Sequence, residues 1–442
     1  MQNILHSKQL HKETFLDKFF KISQRESTVK TEIIGGITTF LTMAYIIFVN
    51  PSILSDAGMN KGALITVTCL ASGIGTLIAG LWANAPFALA PGMGLNAFFT
   101  YTLVLGKGVT WEEALGVVFI SGLCFLILTL GGIREKIAKA IPKELSIATT
   151  AGIGLFIAFI GLKNMGLIAS NNATFVTLGN FSTTTLLSLL GLLIMALFEI
   201  KKIKGGILIS ILTITIISLS LGIVSMPNEI ISLPPSINPI FMKLNILGAL
   251  KISLMGSIFS FMFIDLFDSL GVMLSCYKNM GLGKNTNEED ALKKMLHVDV
   301  TSTLIGSVLG TSTVTSYAES TTGIAAGART GLSSVIIAGL FFISLLFTPI
   351  IGVVPGFATA PALVMVGIFM FQSIGNLDLK DLKIAIPAFI TIIMMPLTYS
   401  ISTGLSFGFI SYVLTHIIAK EFDKISITLW FIFGLSILNL MV

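Results

Sequence analysis

The chain has 442 residues, 54% of them hydrophobic and only 11% charged, with a mean hydropathy of +0.93. A soluble domain carries about 25% charged residues, so this composition excludes a water-soluble fold and points to a protein built almost wholly of membrane spans. The formal net charge of +5 follows from where lysine and arginine sit between spans and does not signal nucleic acid.

Residues 1–30 are polar and basic without an apolar core, which reads as a cytoplasmic N-terminal segment rather than a cleavable signal peptide. At roughly 20 apolar residues per span, the rest divides into fourteen segments. These are 31–54, 61–83, 86–105, 112–132, 145–168, 183–200 and 205–225, then 251–276, 295–311, 312–328, 330–354, 358–375, 382–399 and 401–419. No loop is long enough to fold as a separate catalytic domain. Cys69, Cys124 and Cys276 lie inside apolar runs and the four histidines are scattered, so no metal site is expected. All but five of the 27 Lys and Arg residues fall in alternate loops on one side, the exceptions being Lys61, Lys107, Lys163, Lys243 and Lys251. That bias orients the N-terminus to the cytoplasm, as in a multi-pass protein of the cell (inner) membrane. The last apolar stretch, 425–442, reads either as an interfacial helix or as an extra span.

Segments 3 and 10 are not ordinary spans. "NAPFALAPGMGLNAFFTY" (84–101) begins with an extended run between Pro86 and Pro91 before turning helical. "GTSTVTSYAESTTGIAAGARTGL" (310–332) is too polar for lipid, with a β-prone run followed by a short helix of small residues. Non-helical backbone at membrane depth survives only where protein buries it or a cavity is lined by it. The two segments are seven apart, an odd offset, so the second half enters from the opposite side. Interrupted segments at matching positions of two inverted halves point to a transporter's midplane site. The fold expected is an all-α polytopic membrane protein of about 14 transmembrane segments in a 7+7 inverted repeat, with two short extended strands and half-helices in segments 3 and 10.

The chemistry begins in "FIDLFDSLG" (263–271), where Asp265 and Asp268 sit in segment 8 with no basic residue between Lys251 and Lys278. A charged Asp at the bilayer centre costs about 2.5–3.5 kcal/mol. Three residues apart, the two project from one side of a helix. Their alternative is to hydrogen-bond backbone or hydroxyl groups of a broken neighbour. Glu319 falls where the extended run of segment 10 meets its short helix; it reads as a ligand acid or as a plain cap, with Ser320, Thr321 and Thr322 adding hydroxyls. Phe87 offers an aromatic face, or packs as core, and Asn96 is polar within the following half-helix. Gly92-x-Gly94-x-x-Ala97 matches a dinucleotide fingerprint, but spans flank it where a βαβ unit should be. Thr38, Thr39, Thr42 and Tyr45 recur at helical spacing in segment 1, although membrane threonines commonly bond back to their own backbone. Arg329 reads as an interfacial anchor. Together, carboxylates, half-helix N–H groups and an aromatic face suit a flat neutral heterocycle, and the acids suit a proton carried with it.

The motifs "FLTMAYIIFVNPSIL", "ALAPGMGLNAFF", "FIDLFDSLG" and "TSTVTSYAESTTGIAAGARTGL" resemble those of the azaguanine-resistance (AzgA-like) purine permeases. These are nucleobase–cation symporters related to the nucleobase–ascorbate transporters. The resemblance runs from about Glu32 to the end. It implies a core domain (31–132 and 251–354) moving vertically, as an elevator, against a gate domain (145–225 and 358–419), with uptake of hypoxanthine, guanine or adenine by proton symport. It puts substrate contacts on Asp268, Glu319 and Phe87, to which Ser320, Thr42 and Asn96 are added, and coupling on Asp265, Asp268 and Glu319. Ala328 stands where glycine is expected, and Val272 where some uracil-type relatives carry histidine. No cofactor beyond the proton gradient is expected, and sodium coupling through Asp265 is the alternative. Expected partners are a purine base and membrane lipid, with a homodimer through the gate domain implied by relatives. The rival function is an anion transporter of the same fold. No nucleophile–base pair suggests an enzyme.

Overall fold

The computed structural model describes residues 14–131, 142–227, 229–281 and 288–441. Lys8, Lys12, Arg134, Lys136, Lys139 and Lys284 of the basic loops lie outside the described residues. Nine described helices are long and apolar enough to cross a membrane, and Met93–Gly106, Gly206–Ser220, Leu382–Leu397 and Ile427–Met441 are shorter apolar helices. Several begin on side-chain caps. Thr28, Asn60, Thr110, Ser182 and Ser400 each accept from a backbone N–H in the first turn, contacts worth typically about 1 kcal/mol each.

Segment 1 is two helices, Val29–Met43 and Ile46–Ser55, with Ala44 and Tyr45 at the joint. Segment 8 is one helix, Ile252–Met280. Segment 9, Glu288–Leu309, is as long as a span but opens with the charged run Glu288–Lys294. In segment 3, strand β1 (Leu89–Pro91) leads into a half-helix from Met93; in segment 10, strand β4 (Val314–Ser316) leads into the half-helix Ser320–Ala325. The strands pair antiparallel in the register Leu89↔Ser316, Ala90↔Thr315, Pro91↔Val314. Antiparallel pairing is what equivalent elements of two inverted repeats produce when they meet.

Two features are additional to the sequence reading. Strands β2 (Ile168–Asn171) and β3 (Phe175–Leu178) form a hairpin between segments 5 and 6. At the other end, a short helix Phe15–Phe20 precedes segment 1, and Arg25 donates to the carbonyls of Asn84 and Arg329 at 2.5 and 2.9 Å.

The segments fall into two packing groups. Segment 5 (Lys143–Asn164) packs on segments 12 (Gly356–Phe371) and 13 (Leu382–Leu397), segment 13 on 14 (Ile401–Ile418), and segment 6 (Thr183–Ile200) on 7 and 12. Segments 1, 2, 4, 8, 9 and 11 pack around the strand pair. Close approach needs small residues: a Cβ on Gly35 would lie 2.6 Å from that of Ala328. Ala328 therefore fits because residue 35 is glycine. The C-terminal helix Ile427–Met441 lies antiparallel along segment 14, and Asn439 Nδ2 donates to Ser406 Oγ at 3.0 Å.

Candidate functional site

The strand pair and the helix starts that follow it form one wall of a cavity of about 130 Å³, lined by Tyr45, Gly92–Gly94, Asp268, Thr315–Glu319 and, from segment 12, Phe369. Gly92 N donates to Thr313 O and Tyr317 N to Ala88 O, both at 2.9 Å, which closes the ribbon at its two ends. Tyr317 Oη donates to Pro91 O at 2.6 Å across it. The first N–H groups of a helix have no partner within it, so Met93 and Gly94 bring such groups to the cavity wall. Gly94 is small for a second reason: a Cβ there would meet Ile153 Cγ2 of segment 5 at 2.9 Å.

Asp268 and Glu319 face this cavity from different helices. Glu319 stands at the N-terminus of its half-helix but makes no side-chain cap bond; its Oε1 accepts from Tyr45 Oη at 2.6 Å. Tyr45 is therefore an orienting partner, delivered by the joint in segment 1. No Lys or Arg is among the lining residues. Asp268 instead lies within the fields of two further carboxylates, Glu319 and Asp299.

The other expected residues sit around this centre. Asp265 is buried one turn away from Asp268, with Ser269 Oγ donating to its Oδ1 at 3.3 Å and touching Thr315 Oγ1 at 2.8 Å. Ser320 is behind the strands, where its Oγ accepts from Ala88 N at 3.0 Å. Thr42 bonds back to the Thr38 and Thr39 carbonyls and meets Thr322 Oγ1 at 3.1 Å. The ring of Phe87 is fully buried against Tyr277, 5.1 Å between centroids, in a cluster with Met273 and Met295. The aromatic side chains lining the cavity are Tyr45, Tyr317 and Phe369. Asn96 does not line it; its Nδ2 donates to Asn50 Oδ1 at 2.7 Å. Arg329 is turned inward, with Nη1 donating to Ile324 O and Ala328 O at the end of the half-helix.

Sequence reasoning passed over Asp299, Tyr317 and Phe369. Asp299 is fully buried in segment 9, and the signal for it was an acid in the apolar part of that segment. Tyr317 was inside a quoted motif, whereas Phe369 carries no local signal in a uniformly apolar helix. Wider cavities of about 570 and 730 Å³ lie near Lys163 and Tyr399. Neither holds the two acids or the strand ends.

A cavity that holds two carboxylates where two half-helices meet, in a multi-pass helical protein, is the arrangement of a membrane transport protein. The sequence profile of the Permease family (Xan_ur_permease) matches residues 30–407, and the chain belongs to this family. A Methanocaldococcus jannaschii chain, MJ0326, is 48% identical, with 96% of this chain and 97% of that one covered. Adenine permease AdeP of Escherichia coli is 40% identical, covering 92% of each chain. Guanine/hypoxanthine permease PbuG of Bacillus subtilis is 41% identical, covering 94% of this chain and 98% of the other. Among solved structures, the transmembrane domain of the cyanobacterium bicarbonate transporter BicA superposes with a TM-score of 0.62 at 17% identity, covering 87% and 97%. That likeness carries the fold, an inverted repeat, and the relatives are permeases, not enzymes. The purine permease resemblance of the motifs and the family match agree.

Proposed function

We propose that this chain imports purine nucleobases across the cell membrane by proton symport. The observation that carries the reading is the pair of carboxylates, Asp268 and Glu319, facing one small cavity with no basic residue lining it. Carboxylate oxygens accept from ring N–H or exocyclic amine groups. The N–H groups of Met93 and Gly94 answer ring carbonyls, and Phe369 or Tyr317 offers a face for the ring. Guanine and hypoxanthine present ring N–H donors and a ring carbonyl. Adenine presents an amine, a ring N–H and ring-nitrogen acceptors in place of the carbonyl, and the names of AdeP and PbuG support this substrate class. An anion would meet two acids and no cation, which argues against the bicarbonate-type activity of BicA despite the shared fold.

Coupling is assigned to Asp268, Glu319 and Asp265, carboxyls able to take a proton at one face and release it at the other. The group around the strand pair is the moving core, and segments 5–7 with 12–14 are the gate against which it slides. The basic loops face the cytoplasm. Uptake of radiolabelled hypoxanthine, guanine and adenine in a transport-deficient strain tests the reading, with and without a protonophore and with sodium replaced. A hydrogen bond to a charged group is worth about 1.5–3 kcal/mol, so Asp268→Asn and Glu319→Gln are each expected to lose roughly 10- to 150-fold in uptake efficiency. Wild-type uptake in both variants removes the acids from the mechanism; uptake that needs sodium and ignores the protonophore replaces the proton.

A further inference from the structure

Asn50 was not among the expected site residues, yet its side-chain amide bonds to residues of three other segments. It lies in the second helix of segment 1, fully buried, just before Pro51. Its Nδ2 donates to Thr68 Oγ1 of segment 2 at 2.7 Å and, at 3.2 Å, to Thr311 Oγ1 in the run that leads from the end of helix Glu288–Leu309 into strand β4 of segment 10. Its Oδ1 accepts from Asn96 Nδ2 of segment 3 at 2.7 Å. Both donors and an acceptor lone pair of one amide are thus spent on three other segments, two of them the broken ones. Asn96 Oδ1 is buried without a partner, so Asn50 alone fixes the Asn96 side chain by hydrogen bonding.

The need for such a tie follows from the ribbon. Three residue pairs form β1–β4, and an isolated two-stranded ribbon is marginal at best. A one-residue slip would turn every side chain to the opposite face. Thr315 would leave the cavity, and the Met93 and Gly94 N–H groups would shift relative to Glu319. Asn96 follows Met93 and Gly94 within one turn, and Thr311 precedes Val314 by three residues. Their bonds to a shared amide hold the Pro91–Val314 end of the ribbon, where β1 leaves and β4 enters, against segments 1 and 2.

We propose that Asn50 is a positioning residue of the substrate site: it does not touch the ligand, but its amide holds the two broken segments in register so that their helix starts and Asp268 and Glu319 face one cavity. The proposal rests on that cavity being the nucleobase site, so the test has one arm without ligand. In a background with Cys69, Cys124 and Cys276 replaced, Ala90→Cys and Thr315→Cys report register by forming a cross-strand disulfide. Asn50→Ala is expected to cut its yield several-fold.

The second arm measures hypoxanthine, guanine and adenine binding to purified, monodisperse protein beside its unfolding temperature. Asn50→Ala is expected to weaken binding about tenfold, the worth of one or two neutral hydrogen bonds, and Thr311→Val by less. The control is Thr66→Val, which removes a comparable tie to Pro235 O at 2.9 Å from the same helix as Thr68. It is expected to lower the unfolding temperature while leaving binding unchanged. Full cross-linking, or wild-type affinity, in Asn50→Ala overturns the proposal. If the parent protein binds no purine while cross-linking falls in Asn50→Ala, the functional reading fails and the positioning role stands.

Discussion

The two ends of the seam between the packing groups differ in kind. Toward Lys278 the walls stand apart. Gly271, one turn beyond Asp268, has nothing within 4 Å of where a Cβ would be, and Ala318 and Phe369 are exposed. Toward Lys163 the same seam is shut twice over. Phe263 of segment 8 meets Phe409 of segment 14 at 5.1 Å between ring centroids. Beyond these rings, Tyr101 Oη donates to Asp56 Oδ2 at 2.7 Å and accepts from Asn164 Nδ2 at 3.2 Å, and Thr102 Oγ1 donates to Tyr399 O at 3.1 Å. The Lys163 end is thus held by directional bonds between the groups, Asn164 to Tyr101 and Thr102 to Tyr399, whereas the Lys278 end shows none among the described residues.

The largest effect is expected from joining the groups at mid-seam. With the native cysteines replaced, Gly94→Cys and Ile153→Cys bring two thiols together where glycine now admits an isoleucine methyl. Their disulfide is expected to abolish uptake, and reduction to restore it; cross-linked protein that transports at the parent rate would mean the groups do not slide.

Tyr101→Phe removes one hydrogen bond across the closed end, the one from Asn164, worth about 0.5–1.5 kcal/mol and so roughly 2- to 12-fold in the balance between ends. Labelling of Gly271→Cys by an impermeant thiol reagent from the Lys278 side is the measurement, and it is expected to fall. An unchanged labelling rate would reduce the Asp56–Tyr101–Asn164 chain to ornament on the closed state.

A smaller effect is expected from pH at the closed end. Asp56 lies just past its membrane helix, and burial holds its carboxyl above the ordinary range, outweighing the bond from Tyr101 and the nearby charge of Lys163. A state that raises this pKa is favoured as pH falls. Acid on the Lys163 side is therefore expected to strengthen closure, and closure to weaken as pH rises through the carboxylate range. Gly271→Cys labelling in proteoliposomes should follow that sign, and the dependence should vanish in Asp56→Asn.

The smallest effect is expected from Glu421, held near pKa 2 by bonds from Lys383 and Lys424. A depressed carboxyl contributes stability above its ordinary value of 4.5 and loses it as pH falls to about 2. Exposed pairs contribute little, so Glu421→Gln should lower the unfolding temperature slightly at neutral pH, with the offset shrinking in acid. Lys383 and Glu421 adjoin segments of one group, so uptake should not change. A transport defect would extend the seam's machinery to the Lys278 end.

Much of this was legible along the chain. Apolar runs of span length, interrupted by Gly, Pro and charge, are a local property, so helix positions and the two broken segments follow from hydropathy alone. The acids Asp265, Asp268 and Glu319 declared themselves because a charge in an apolar run costs energy wherever the run ends up. What hydropathy does not encode is which way a side chain turns. Phe87 looked available and Tyr317 did not stand out, yet the fold sent Phe87 into a packing cluster and Tyr317 to the cavity. Asn96 was expected at the substrate and Asn50 carried no signal along the chain, until four segments converged and made them one hydrogen-bonded node. The open end of the seam likewise had no sequence signature, since it is set by distances between segments and not by any one residue. The sequence by itself determined the spans, the inverted halves and the acids, because those depend on transfer from water to lipid. Tertiary structure decided facing, register and the open side, because those depend on contacts between segments hundreds of residues apart.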